Sequence, residues 1–194
     1  ATFPSKHYDI EQYPAVKQHL LSFGKERLEQ SGKEYLVNGE KVKARKRTNN
    51  QWFETQDSIS YWDDFSQPKI VWKRVGSILR FSYDKAGLLS LDSTCFAVGK
   101  NIEYICCVLN SSMGHFLLKD APQTGTGDLL VSVQAVEPLM LPNISDEDNI
   151  YFAEKIGRLS QMADNNLEQE VTERVFDLYD LSAEERDYIR TNYY

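Results

Sequence analysis

Between Lys41 and Arg47 the chain carries Lys41, Lys43, Arg45, Lys46 and Arg47, five basic residues in seven. Side chains of that type and density can neutralise backbone phosphates of a nucleic acid and release their counterions. Asn49 and Asn50 follow. A carboxamide can pair bidentately with an adenine edge, or it can shape a turn, and the turn is the expected role. A second cationic group comes with Lys73, Arg74 and Ser77 around Gly76-Ser77, a dipeptide that fits a two-residue hairpin turn. Such a tip suits a groove-reading ribbon, and Arg80 follows on the next alternating stretch. Thr124 opens Thr124-Gly125-Thr126-Gly127, which is either a cradle of N–H groups for a phosphate or a plain loop. Trp52, Trp62 and Trp72 could stack on a flipped base, but core packing is expected of them.

Other chemistries lack their residues. No Lys has Asp or Glu two positions before it, so the E-x-K spacing of a metal-dependent nuclease is absent. There is no G-x-x-x-x-G-K-[ST] sequence, and the lone G-x-G, at Gly125-Thr126-Gly127, follows no strand pattern. His7, His19 and His115 lack metal-ligand spacing. Cys95, Cys106 and Cys107 form no C-x-x-C. A zinc site or disulfide scaffold is not expected, and a reduced cytoplasmic chain is. A Cys–His nucleophile pair stays open on sequence alone, although buried structural cysteines are the expected reading.

The elements that would position these residues can be read from periodicity. Residues 12–30 look helical, with Val16, Leu20, Leu21, Phe23 and Leu28 as an approximate stripe. Gly32 and Gly39 mark a loop. Ile70-Val71-Trp72 after Pro68 reads as a strand. Leu79, Phe81 and Tyr83 alternate with polar residues, and Leu88 to Asp92 and Thr94 to Val98 read as further strands, so an antiparallel β-meander is expected. Asn101 is placed to cap a helix. Ile102, Ile105, Cys106 and Leu109 follow at helical spacing, with Cys107 and Val108 making that helix apolar on most sides and therefore buried. Residues 129–141 could hold one or two strands. After Pro142 come Ser145 and Asp148 as a helix start, the stripe Leu167, Val171, Val175 and Leu178, and the capping box Ser182–Glu185. The expected fold is α+β: an N-terminal helix, a β-meander with a buried helix, and a C-terminal helical appendage. The expected domains are an α/β part over 1–142 and an acidic helical appendage over 143–194.

The chain has 194 residues, 41% hydrophobic, and a formal charge of −7. This composition excludes disorder and low-complexity polymers. No apolar run approaches a membrane span, and the first residues contain no signal peptide. The chain opens at Ala1 without an initiator Met, so a fragment or processed form is expected. Taken whole, −7 argues against a nucleic-acid partner. Resolved along the chain, residues 143–194 hold 5 Lys/Arg against 13 Asp/Glu, while residues 1–142 hold 17 against 16. Residues 41–80 hold 9 against 4. The acidic excess belongs to the helical tail, and a DNA partner is permitted.

From Lys43-Ala44-Arg45-Lys46-Arg47 the blocks Trp52-Phe53-Glu54, Tyr61-Trp62-Asp63-Asp64-Phe65 and Pro68-Lys69-Ile70-Val71-Trp72 follow in order. Phe81-Ser82-Tyr83-Asp84, Asp92-Ser93-Thr94-Cys95-Phe96, Tyr104-Ile105, Leu109-Asn110-Ser111 and Leu139-Met140-Leu141-Pro142 continue the series. The upstream Tyr13-Pro14-Ala15-Val16 and the tail Leu178-Tyr179-Asp180-Leu181 fit as well. In this ordered series the chain resembles the C-terminal target-recognition, or specificity, domain of type IIG restriction–modification enzymes and adenine-N6 DNA methyltransferases. That family is related to the recognition domains of type I specificity subunits. The resemblance implies a non-catalytic piece that reads double-stranded DNA beside a methyltransferase domain on the same polypeptide. That absent domain would bind S-adenosylmethionine; no cofactor is expected in this chain, and its N-P-P-Y motif does not occur here. A protein-interaction module docking a partner subunit through the acidic helices is the alternative.

Overall fold

Pro14 opens the first α-helix, α1 (Pro14–Leu21), at the position where a missing N–H costs nothing. This is a computed structural model, and it describes residues 1–193. The helical stretch expected over 12–30 breaks near Gly24 and resumes as the single turn α2 (Lys25–Leu28). The stripe expected on α1 is not buried, and Val16, Leu21 and Phe23 are exposed.

Two strands follow where the sequence reading placed only a loop. β1 (Glu34–Val37) pairs antiparallel with β2 (Glu40–Lys43) in the register Leu36↔Lys41 and Tyr35↔Val42. Asn38 and Gly39 join them, both at positive φ (50° and 84°), the geometry of a type I′ turn that asparagine tolerates and glycine adopts freely. These elements belong to a first unit, Ala1–Trp62, and the rest of the chain forms a second.

The second unit is built on a three-stranded antiparallel sheet of β3 (Lys69–Lys73), β5 (Phe81–Asp84) and β6 (Thr94–Val98), in the order β5-β3-β6. The expected meander is thereby corrected. The third strand does not extend the sheet beyond the second; it crosses back to the other edge of β3 and pairs with its backbone there, Ile70 opposite Ala97 and Trp72 opposite Cys95. Leu88 to Asp92, expected as a strand, is the crossing loop and pairs with no strand among the described residues. Between β3 and β5, the short strand β4 (Val75–Gly76) pairs with β7 (Leu129–Leu130).

Helix α3 (Ile102–Asn110) is buried, as its all-round apolar character requires. Asn101 precedes it in a left-handed conformation and makes no side-chain cap. One side of α3 meets β3 and β5, and other sides meet α6 (Asp146–Leu159) and α7 (Asn165–Leu178). The helices α4 (Ser112–Leu117), α5 (Val133–Val136) and α8 (Ala183–Asn192) complete the unit. Ile70, Trp72 and Phe81 share one core with Cys106, Leu109, Phe152, Val171, Val175, Phe176 and Ile189. Burying each of the largest of these stabilises by about 1.5–3 kcal/mol. The boundary expected at 142/143 therefore gives way to one at 62/63. The stripe of α7 faces the same core as the sheet, because α3 exposes apolar surface on both sides and one sheet covers only half of it. The capping box expected at Ser182–Glu185 is present, and the helix start expected at Ser145–Asp148 is a capping box as well.

Candidate nucleic-acid interface

In the first unit, alternation sends the residues of the β1–β2 ribbon to two faces. Tyr35, Val37 and Val42 are half-buried on one face. Glu34, Leu36, Lys41 and Lys43 are exposed on the other, with Leu36 opposite Lys41 and Glu34 opposite Lys43. The chain leaving β2 runs beside residues 29–33. Ala44 N–H donates to Lys33 O and Gly32 N–H to Arg45 O, each at 2.9 Å, and Thr48 N–H donates to Gln30 O at 3.0 Å. This run leaves Lys46, Arg47 and Asn49 exposed.

Arg45 turns inward instead. Its guanidinium donates to Leu28 O from Nε at 2.8 Å, to Glu54 O from Nη1 at 3.0 Å, and to Trp52 O from Nη2 at 2.7 Å. Burial lowers its pKa, and the nearby Glu29 charge works against that. Three carbonyls from two segments, Leu28 on one and Trp52 and Glu54 on the other, thus converge on one planar fork, and the side chain is a staple rather than a phosphate contact. Asn50 is likewise a turn residue: its Nδ2 donates to Thr55 O at 3.1 Å and its backbone N–H to Thr48 Oγ1 at 3.0 Å. Gln30, buried, donates to Gln51 O and Glu54 O and accepts from Thr48.

In the second unit, β3 and β5 are joined by residues 74–80 and not by a two-residue turn at Gly76-Ser77. Val75 and Gly76 are held by β7 at 129–130, and Arg74 is fixed through its backbone to Ser93 O and Val131 N. Lys73 at the end of β3 and Arg74, Ser77 and Arg80 on this segment are all exposed. The loop at 124–128 is closed on itself. Thr124 Oγ1 meets Thr126 Oγ1 at 2.9 Å and accepts from Asp128 N, while Thr124 N–H and Gly127 N–H donate within the loop. Those groups are spent within the loop, and Asp128 adds a negative charge, so of the two readings of this segment the geometry favours the plain loop over the phosphate cradle at Thr124.

Lys41, Lys43, Lys46, Arg47, Lys73, Arg74 and Arg80 form no ion pair among the described residues. Arg174, Arg186 and Arg190 in the helical part are all paired with acids. Seven of the cations that the sequence reading singled out are thus exposed and without an ion pair, and Lys6, Lys25, Arg27, Lys33, Lys85, Lys100 and Arg158 are likewise exposed and without an ion pair among the described residues. Arg80 also lines a cleft of about 1240 Å³ with Tyr83, Asn110, His115, Lys119 and Tyr193. Burial and the Arg80 charge lower the His115 pKa, against a hydrogen bond with the Tyr193 backbone.

The other candidates are structural. Trp72 is buried and donates from Nε1 to Val131 O at 2.8 Å. Cys106 and Cys107 are buried, and burial pushes the Cys106 thiol up to about 12 and raises Cys107 as well. Such thiols are not nucleophiles at neutral pH. Among the described residues no cluster of His, Cys, Asp or Glu is arranged to hold a metal, and no helix is long and apolar enough to cross a membrane.

Residue type alone passes over the ribbon and its exposed Leu36. Asn38-Gly39 between β-prone residues is the signal that marks them. A family model described as the TaqI-like C-terminal specificity domain matches residues 6–132, which span nearly all of the first unit and the second as far as β7. No curated protein matches the chain.

Proposed function

The chain belongs to the family of TaqI-like C-terminal specificity domains, and on that premise we propose that it is the sequence-specific DNA-recognition part of a restriction–modification enzyme. It is non-catalytic in this reading. It presents the target duplex to an adenine-N6 methyltransferase domain on the same polypeptide, which binds S-adenosylmethionine and acts in the cytoplasm. The observation that carries the reading is a set of exposed cations with no ion-pair partner among the described residues, Lys41, Lys43, Lys46 and Arg47, on and just after a two-stranded ribbon. Lys43 at the base of the ribbon, with Lys46 and Arg47 beyond it, would hold phosphates and fix the register. Lys73, Arg74 and Arg80 give the second unit cations of its own for the same purpose. Val171 and Val175 of α7 lie in the unit's own core, which supports this reading beside the alternative of a module that docks a partner subunit through the acidic helices.

A salt titration of binding to random duplex tests the proposal. Affinity should fall steeply and linearly in log–log form as salt rises. Absence of any binding at low salt overturns it.

A further inference from the structure

The outer face of the β1–β2 ribbon carries a feature that folding does not explain. Leu36 is 74% exposed in the middle of a strand, and its neighbours on that face are Lys41 directly opposite and the Glu34–Lys43 pair. A two-stranded ribbon is marginal by itself. This one is held from its inner face, by half-buried Tyr35, Val37 and Val42 and by the Tyr35 Oη to Ser31 Oγ hydrogen bond at 3.0 Å. The outer face buries none of its four residues, yet it displays a leucine where a polar residue would cost less. The surroundings are cationic: residues 33–47 hold 6 Lys/Arg against 2 Glu.

We infer that this outer face is a base-reading surface that enters the DNA major groove, with Leu36 on a thymine methyl and Lys41 on the O6/N7 edge of a neighbouring guanine. The inference rests on the DNA-recognition reading and adds to it which element reads bases. The major groove admits a two-stranded ribbon, and apolar contact to the thymine methyl and lysine to guanine are its ordinary pairings. Side chains directly opposite on an antiparallel pair have Cβ atoms about 4.5–5.5 Å apart, so one pair spans one or two base steps of about 3.4 Å. The tight Asn38-Gly39 turn keeps the tip narrow. Lys43, Lys46 and Arg47 follow away from the tip, where a ribbon seated in the groove would meet the backbone.

The test uses the full chain and a randomised duplex library. Selection by the wild type should return a site with a thymine within two steps of a guanine. Replacing that thymine by uracil removes only the C5 methyl and should weaken wild-type binding about fourfold. Leu36→Ala, which alters an exposed side chain, should show a similar loss on the thymine site and no further loss with uracil. Lys41→Gln should relax the guanine preference. If uracil is without effect on the wild type, or weakens Leu36→Ala as much as it weakens the wild type, the ribbon assignment is overturned while DNA recognition stands. That result would leave Leu36 to a protein contact. If no duplex is selected even at low salt, DNA recognition and the ribbon assignment both fall.

Discussion

The side-chain amide of Asn110 pairs with the backbone of Phe81 as a neighbouring strand would. Its Nδ2 donates to Phe81 O at 2.7 Å, and Phe81 N–H donates to Asn110 Oδ1 at 3.0 Å. Phe81 begins β5, an edge of the three-stranded sheet, and Asn110 ends α3. The helix thus satisfies an edge that would otherwise present unpaired groups under cover. Asn110→Ala should lower unfolding stability by about 1–3 kcal/mol, since it leaves those backbone groups without partners. In Asn110→Asp the ionised side chain faces the Phe81 carbonyl, so its loss should be greater at pH 8 than at pH 4. Urea unfolding at both pH values checks this. Equal losses at the two values would argue that the amide is not reading both backbone groups.

A second cross-element pair orders the opposite end of the same strands. Lys69 is fully buried, and its Nζ lies 2.5 Å from Asp84 Oδ2 and 2.8 Å from Phe65 O. Asp84 also accepts from Ala86 N–H at 2.7 Å and Leu88 N–H at 3.0 Å. Burial alone would raise the Asp84 carboxyl, but these bonds together hold it below its ordinary value. The stability it contributes is complete above the unfolded value of about 3.9. It is lost as pH falls through the lower folded value. Lys69→Met should cost about 3–5 kcal/mol at neutral pH by stranding the carboxylate. Lys69→Met/Asp84→Asn should recover part of that and weaken the acid dependence, because the neutral amide oxygen still accepts from the turn. Chemical denaturation between pH 2 and 7 reads all three proteins.

Local signals are the most legible part of this fold. Ser145 with Asp148 and Ser182 with Glu185 can be read as helix starts because a capping box needs only neighbours in the chain. The burial of α3 follows from its own apolar surface. Sheet order is not legible: whether Thr94 to Val98 pairs with β5 or returns to β3 depends on which edge is free, and that is decided across the fold. Arg45 and Lys46 are adjacent and alike in charge, yet one faces three carbonyls and the other solvent. Counting charge cannot separate them, because the distinction lies in the turns at 28 and 52–54. The ribbon differs again: Asn38-Gly39 is a local hairpin signal, but the basic run beside it dominates the composition of the segment.

Gly114 marks a close approach of a different kind. A Cβ there would lie 2.3 Å from Val108 O and 2.6 Å from both Leu109 Cα and Leu109 O. These are backbone atoms of buried α3, so neither side can yield by rotating a side chain. Although alanine favours helices intrinsically, Gly114→Ala should destabilise by about 1–3 kcal/mol or more through overpacking. A thermal melt showing equal or greater stability would mean that α4 shifts freely against α3, contrary to so close a backbone approach.

Arg45 and its neighbours Lys46 and Arg47 should respond oppositely to removal. Lys46→Ala with Arg47→Ala should leave stability nearly unchanged and flatten the slope of log affinity against log salt by about 0.9 for each phosphate no longer neutralised. Arg45→Ala should leave three carbonyls without their donor and cost about 1–3 kcal/mol for each that stays buried. Arg45→Lys should not restore that loss, since one ammonium cannot reproduce the fork that reaches Leu28, Trp52 and Glu54 together. Under conditions where the variant is still folded, its salt slope should match the wild type. A flattened slope in folded Arg45→Lys would place the guanidinium on DNA and reverse its assignment as a staple.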